Sequence, residues 1–133
     1  MNLDFKKMEG LIPVVVQDSI TGKVLMLGYM NEAALAQTEA SGRVTFFSRS
    51  KNRLWTKGET SGNFLEVISM QEDCDGDAIL IKAKPLGPVC HTGEDTCFAE
   101  ANTSQTGFID QLRSIIKDRK ENPTEGSYTA SLF

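Results

Sequence analysis

An α+β domain dominated by β structure is the fold class that this sequence predicts. Three observations carry the prediction. Short β-branched and aromatic runs recur between turn-forming residues, one Ala-rich segment is flanked by good capping residues, and one stretch near the C-terminus has helical apolar spacing. The 133 residues suffice for a domain with a real core, and 40% hydrophobic with 24% charged residues is ordinary for a soluble globular protein. The order of strands in a sheet is not legible at this level.

Residues 11–17 are apolar and β-branched and read as a strand, with Pro13 favouring its start or a sheet edge. Turn chemistry at 18–22 and a second strand at 23–28 make a hairpin. Asn31 is a good N-cap for a helix over 32–40, and Gly42 a good residue to end it. Residues 43–48 read as a strand carrying Phe46 and Phe47, 53–56 as a short strand, and 57–62 as a loop with Gly58 and Gly62. Alternation over 64–70 and the run 78–83 predict two further strands, and Gly93 makes 90–97 a loop. Over 107–120, Phe108, Leu112, Ile115 and Ile116 recur at i, i+4, i+7, i+8, the pattern of a core-packing helix. These elements make one domain over 1–120. The polar stretch with Pro123 and Gly126, followed by a new apolar start, reads as a linker and the beginning of a truncated further domain over 121–133.

A net charge of -4 argues against nucleic-acid binding by bulk electrostatics but leaves room for a local basic pocket. No apolar run approaches the roughly 18 residues of a membrane span, and residues 1–7 lack a signal-type apolar stretch. A cytoplasmic protein without nucleic-acid or membrane partners is expected. The three cysteines are an odd number, so metal ligation or a reactive thiol is a better reading than a disulfide framework.

All three cysteines, the single histidine and a run of alternating aspartates lie in Asp73-Cys74-Asp75-Gly76-Asp77 and in the segment from Cys90-His91 to Cys97. Thiolates suit zinc; carboxylates suit magnesium or calcium. If 73–77 is extended, Asp73, Asp75 and Asp77 point one way and Cys74 the other. A calcium loop of the EF-hand kind fails, because Ala78 stands where that loop needs glycine and Lys84 where it needs glutamate. A solvated acidic loop is the plain alternative. Cys74, Cys90 and Cys97 as zinc ligands leave a fourth position for water or for His91. Neighbouring side chains of an extended chain diverge, which favours His91 as a base beside the metal over His91 as a ligand. A lone cysteine is most often a small buried hydrophobe, a reading that suits three cysteines flanked by acids and glycines poorly. Arg49, Lys51, Arg53 and Lys57 crowd one stretch of an acidic chain. With the hydroxyls of residues such as Thr60 and Ser61 and glycine-flanked amides beside them they are candidates for holding phosphate, and Trp55 for stacking on a base or for packing in the core.

Trp55-Thr56-Lys57-Gly58-Glu59-Thr60-Ser61-Gly62, then Asp73 to Asp77, then Gly87-Pro88-Val89-Cys90-His91-Thr92-Gly93 and Cys97-Phe98 resemble the phosphoribosyl-AMP cyclohydrolase family of histidine biosynthesis, in the family's order and spacing. The resemblance covers roughly 9–115. It implies a zinc- and magnesium-dependent hydrolase that opens the adenine ring of phosphoribosyl-AMP between N1 and C6. It implies Cys74, Cys90 and Cys97 on zinc, and Asp73, Asp75 and Asp77 on magnesium. It also implies an intertwined homodimer with zinc sites at the subunit interface. The expected chemistry is attack of zinc-bound hydroxide on C6 with His91 as catalytic base, and Arg49, Lys51, Arg53, Trp55, Lys57, Glu59, Thr60 and Ser61 binding substrate. Residues 122–133 resemble the junction into the phosphoribosyl-ATP pyrophosphatase domain of fused, bifunctional members. The competing readings are a structural-zinc binding module and a zinc-dependent purine deaminase.

Overall fold

The computed structural model describes residues 1–103 and Ile116. The chain divides into two compact units, Met1–Asn102 and Thr103–Phe133, and among the described residues every strand lies in the first. The helix expected over 107–120 and the boundary at 120 lie outside the described residues, apart from Ile116, which is helical.

The elements run in the order β1 (Ile12–Asp18), β2 (Val24–Met30), α1 (Glu32–Ser41), β3 (Thr45–Ser48), β4 (Arg53–Thr56), β5 (Leu65–Glu72) and β6 (Ile79–Pro85). The fold is thus α+β and β-rich. A four-stranded sheet has the order β2-β1-β6-β5, and β3 and β4 form a separate ribbon. β1 lies inside the sheet, antiparallel to β2 and parallel to β6. Pro13 is tolerated there because the ladder to β6 begins only at Val14. Alternate residues of β1 are buried, and Ile12, Val14 and Val16 join Leu25, Leu65, Ile79, Ile81 and Ala83 in one core.

The Asn31 side chain accepts from the Ala34 N–H at 2.8 Å, and Gly42 ends α1 at φ 71°. Buried Thr38 fastens α1 to β3, its hydroxyl accepting from the Thr45 N–H at 3.0 Å. Val44 joins the ribbon to the sheet. Its N–H donates to Leu65 O at 3.0 Å, and its own carbonyl accepts from the Lys57 N–H at 3.0 Å. The ribbon also lies tight on β2: a Cβ at Gly28 would come within 2.5 Å of the Phe46 ring. Phe46 in turn packs under Trp55 with ring centroids 5.9 Å apart. These contacts fix Trp55 and Lys57 relative to the sheet. Among the described residues no helix is long and apolar enough to cross a membrane.

Candidate functional site

Two loops face each other across a cleft of about 410 Å³. The first follows β4. Lys57 is held by the Val44 carbonyl, and the turn closes with Gly62 N–H donating to Gly58 O at 2.7 Å. Gly58 has φ 91°, and any Cβ there would come within 2.5 Å of the Asn63–Phe64 backbone, so only glycine fits. Glu59 accepts from the Thr56 N–H at 3.2 Å and pairs with the Arg53 guanidinium at 2.5 Å. Arg53 first, and then that amide, hold its carboxyl below the usual carboxylate range.

The second loop, Pro88 to Cys97, is shaped by its own backbone. Cys90 N–H donates to Glu94 O at 3.1 Å and Gly93 N–H to Cys90 O at 3.0 Å. Val89 is buried, and Cys97 N–H donates to Leu25 O at 2.8 Å, which ties the loop to the start of β2. Beyond it, Asn102 Nδ2 donates to Asp18 Oδ2 at 2.9 Å and its Oδ1 accepts from the Thr21 hydroxyl at 2.6 Å. Burial pushes the Asp18 carboxyl up. The hydrogen bonds from Asn102 and from the Thr21 and Ile20 amides outweigh that and leave it below its ordinary value.

The Cys90 thiol is held below its ordinary value by Thr92, whose hydroxyl donates to the sulfur at 3.2 Å and whose amide adds to the effect. Cys97 is the neighbour of Cys90, and partial desolvation followed by that proximity pushes its thiol up. The His91 Nδ1 lies 3.9 Å from Cys90 Sγ. The expected divergence of these neighbours assumed an extended chain, whereas both sit in a turn.

Lys57, Glu59, Thr60 and Ser61 line one side of the cleft, Cys90 and His91 the other, with Trp55 also in its wall. Arg49 lines a second cleft and stacks its guanidinium over Tyr29 at 4.2 Å. Lys51 and Arg53 line a third. Trp55 is common to all three.

The acidic motif is not extended. Asp73 to Ala78 form the turn between β5 and β6, with Gly76 at φ 75°. Asp73 Oδ1 accepts from the Asp77 and Ala78 amides at 3.0 and 3.2 Å. This turn, rather than strand alternation, brings carboxylate oxygens of Asp73, Asp75 and Asp77 within 4.8 Å of one another. A residue that local sequence does not reveal joins them. The Lys7 ammonium pairs with Asp77 at 2.9 Å and Asp75 at 3.3 Å, and these hydrogen bonds raise its pKa to about 12. The N-terminal segment is carried there by Asp4 N–H donating to Gly76 O at 2.8 Å. Such a contact joins positions far apart in sequence and leaves no local pattern.

The three cysteines are not gathered in one chain. Among the described residues the aspartates alone bring three ligand atoms within 4.8 Å. Cys74 lies in the turn before β6, and Cys90 and Cys97 lie beyond its far end. The seven residues of β6 separate the two places by roughly 20 Å at about 3.3 Å per residue.

The phosphoribosyl-AMP cyclohydrolase family model matches residues 26–99. Three similar proteins are each named histidine biosynthesis bifunctional protein HisIE. The one from Bacteroides thetaiotaomicron is 58% identical over 133 residues, which is 100% of this chain and 66% of that protein. The one from Escherichia coli K12 is 54% identical over 131 residues, 98% of this chain and 64% of that protein. The one from Shewanella oneidensis is 53% identical over 131 residues, 98% and 61%. The chain therefore spans just under two thirds of the length of these relatives.

Proposed function

Because the chain belongs to the phosphoribosyl-AMP cyclohydrolase family, we propose that it opens the adenine ring of phosphoribosyl-AMP between N1 and C6 in histidine biosynthesis. The observation that carries this reading is the cleft in which the loop after β4 faces Cys90 and His91. The ring nitrogen is ribosylated, so C6 is electrophilic. His91 takes a proton from the attacking water, the new bond forms at C6, the C6–N1 bond breaks, and the proton goes to N1. The exocyclic amine stays and becomes the carboxamide nitrogen, and the second water proton leaves the new oxygen for solvent as the carbonyl forms. Imidazole is the side chain suited to moving a proton near neutral pH.

Cys74, Cys90 and Cys97 are the proposed zinc ligands. A thiolate-rich donor set suits that ion, and the Cys90 thiol is already biased toward ionisation by Thr92. Zinc bound there supplies the Lewis acidity that makes water nucleophilic at neutral pH. Since Cys74 stands at the opposite end of β6 from its two companions, a complete set takes Cys74 from one chain and Cys90 and Cys97 from another. This supports a homodimer with zinc sites at its interface. Asp73, Asp75 and Asp77 are the proposed magnesium ligands, and their convergence supports a hard cation among them. The identity to bifunctional relatives, and the share of their length covered, support reading the chain as the cyclohydrolase part of such a protein. A native reading frame that ends at Phe133 would refute that last point.

The test is turnover of phosphoribosyl-AMP by the purified chain, before and after chelation, with ammonia measured alongside. Ring opening that is lost on chelation, restored by zinc and free of ammonia is expected. Ammonia release would mean a deaminase. A folded, zinc-loaded chain without turnover would mean that the zinc is structural or that the remaining part of a bifunctional protein is needed.

A further inference from the structure

Trp55 stands between two sets of cations that differ in their surroundings. On one side is Lys57, only 8% exposed, its ammonium 5.4 Å from the Trp55 ring centroid, in the wall of the cleft that holds Cys90 and His91. Among the described residues no carboxylate pairs with it. Its charge favours the ionised forms of the Cys90 and Cys97 thiols, but with no carboxylate beside it a buried ammonium still favours an anion from outside. Thr60 and Ser61 offer hydroxyls in the same cleft. On the other side are Arg49 and Lys51, in two clefts that share Ser48 and Trp55 as walls, both exposed and without a carboxylate partner among the described residues. They flank Ser50 and follow Ser48, whose hydroxyl accepts from the Lys51 N–H at 3.3 Å and lies 3.4 Å from that of Ser50. The cavity beside Arg49 measures about 590 Å³. Arg53 belongs to neither set, because Glu59 neutralises it.

We propose that these are two phosphoryl subsites divided by Trp55, with Lys57 holding the phosphate of the ribose on N1 and Arg49 with Lys51 holding the phosphate of the ribose on N9. The inference rests on the ring-opening reading. Its assignment follows from the substrate's own connectivity. N1 is bonded to C6, the atom attacked beside His91, so the N1-linked phosphate stays in the His91 cleft. N9 is on the other ring of the purine, and its ribose extends away from C6, past Trp55. Stacking of the purine on Trp55 fits a base held between the two subsites.

AMP carries only the N9-linked phosphate and separates the two. The measurements are KM for phosphoribosyl-AMP, inhibition by AMP, and zinc content, for Lys57→Gln, Lys57→Arg and the double variant Arg49→Gln/Lys51→Gln. Lys57→Gln should raise KM about ten-fold or more, as expected for a lost charge-assisted contact, with AMP inhibition and zinc content unchanged. Lys57→Arg should recover part of that loss, which also shows that the buried position still folds around a cation. The double variant should weaken AMP and substrate together. Equal weakening of AMP by both sets overturns the assignment, and so does an unchanged KM in Lys57→Gln. Zinc lost from Lys57→Gln overturns it by making Lys57 the counter-charge of the thiols. In these cases wild-type turnover stands and so does the ring-opening reading; a zinc-loaded wild type without turnover overturns that reading for this chain and the assignment with it.

Discussion

The two ends of β6 hold different donors in different states of assembly. At its start, the turn from Asp73 to Ala78 gathers three carboxylates within one chain and seats the Lys7 ammonium against two of them. Beyond its end, Cys90 and Cys97 are neighbours, whereas Cys74, the third proposed zinc ligand, lies back among the aspartates. Three carboxylates converge within one chain; among the described residues the three thiols do not. A seven-residue strand is rigid on the scale of a metal site, whose ligands lie within about 2.3 Å of the ion, so no local adjustment closes the gap. Under the proposed zinc assignment, the missing thiol would come from a second copy of the chain.

That contrast predicts that the distant cysteine matters as much as the near ones. Cys74→Ser and Cys90→Ser should each lower zinc affinity and turnover by more than about 100-fold, since losing a ligand exceeds the roughly 10–100-fold typical of outer partners. Zinc content by mass spectrometry and kcat check this, and a Cys74→Ser protein that keeps full zinc would dissolve the contrast. His91→Ala should lower kcat by about 10²- to 10⁴-fold, the usual range for a general base, while zinc stays bound. Loss of zinc with activity would add His91 to the ligands at the thiol end.

The remaining predictions concern the supports of that end. Gly28→Ala places a Cβ within 2.5 Å of Phe46, the ring beneath Trp55. It should cost about 1–3 kcal/mol, the usual range for overpacking, measured as a lower urea midpoint. Asp18 holds the turn between β1 and β2 against Asn102. Its carboxyl lies below its ordinary value when folded, so it contributes stability above its unfolded pKa that disappears as pH falls through the folded one. Asp18→Asn should therefore lower stability at neutral pH and flatten the loss below about pH 4. Urea midpoints from pH 7 to pH 3 show this, and an acid slope equal to the wild type's would refute it.

Much of the fold is legible in the sequence because its signals are local. The β-branched apolar run of β1, the Asn31 and Gly42 caps of α1 and the turn chemistry of residues 18–22 place those elements within a residue or two. The parallel pairing of β1 with β6 is not legible, because Val14 and Ile79 are joined only by the fold. Residues 73–77 stand out as a motif, but their spacing misleads about conformation. Alternating aspartates suggest a strand, whereas the left-handed Gly76 and the amides captured by Asp73 make a turn. The basic stretch is legible as a set but not in its parts. Arg53 pairs with Glu59 across the turn that follows β4, and Lys57 is buried where Val44 joins the ribbon to the large sheet.

The most direct measurement mixes two inactive proteins. Cys74→Ser and Cys90→Ser chains, unfolded together and refolded with zinc, should pair at random. In a symmetric dimer that shares its thiols, each mixed pair has one intact site, so about a quarter of wild-type turnover should return. No recovery above either parent would contradict a zinc site shared between chains.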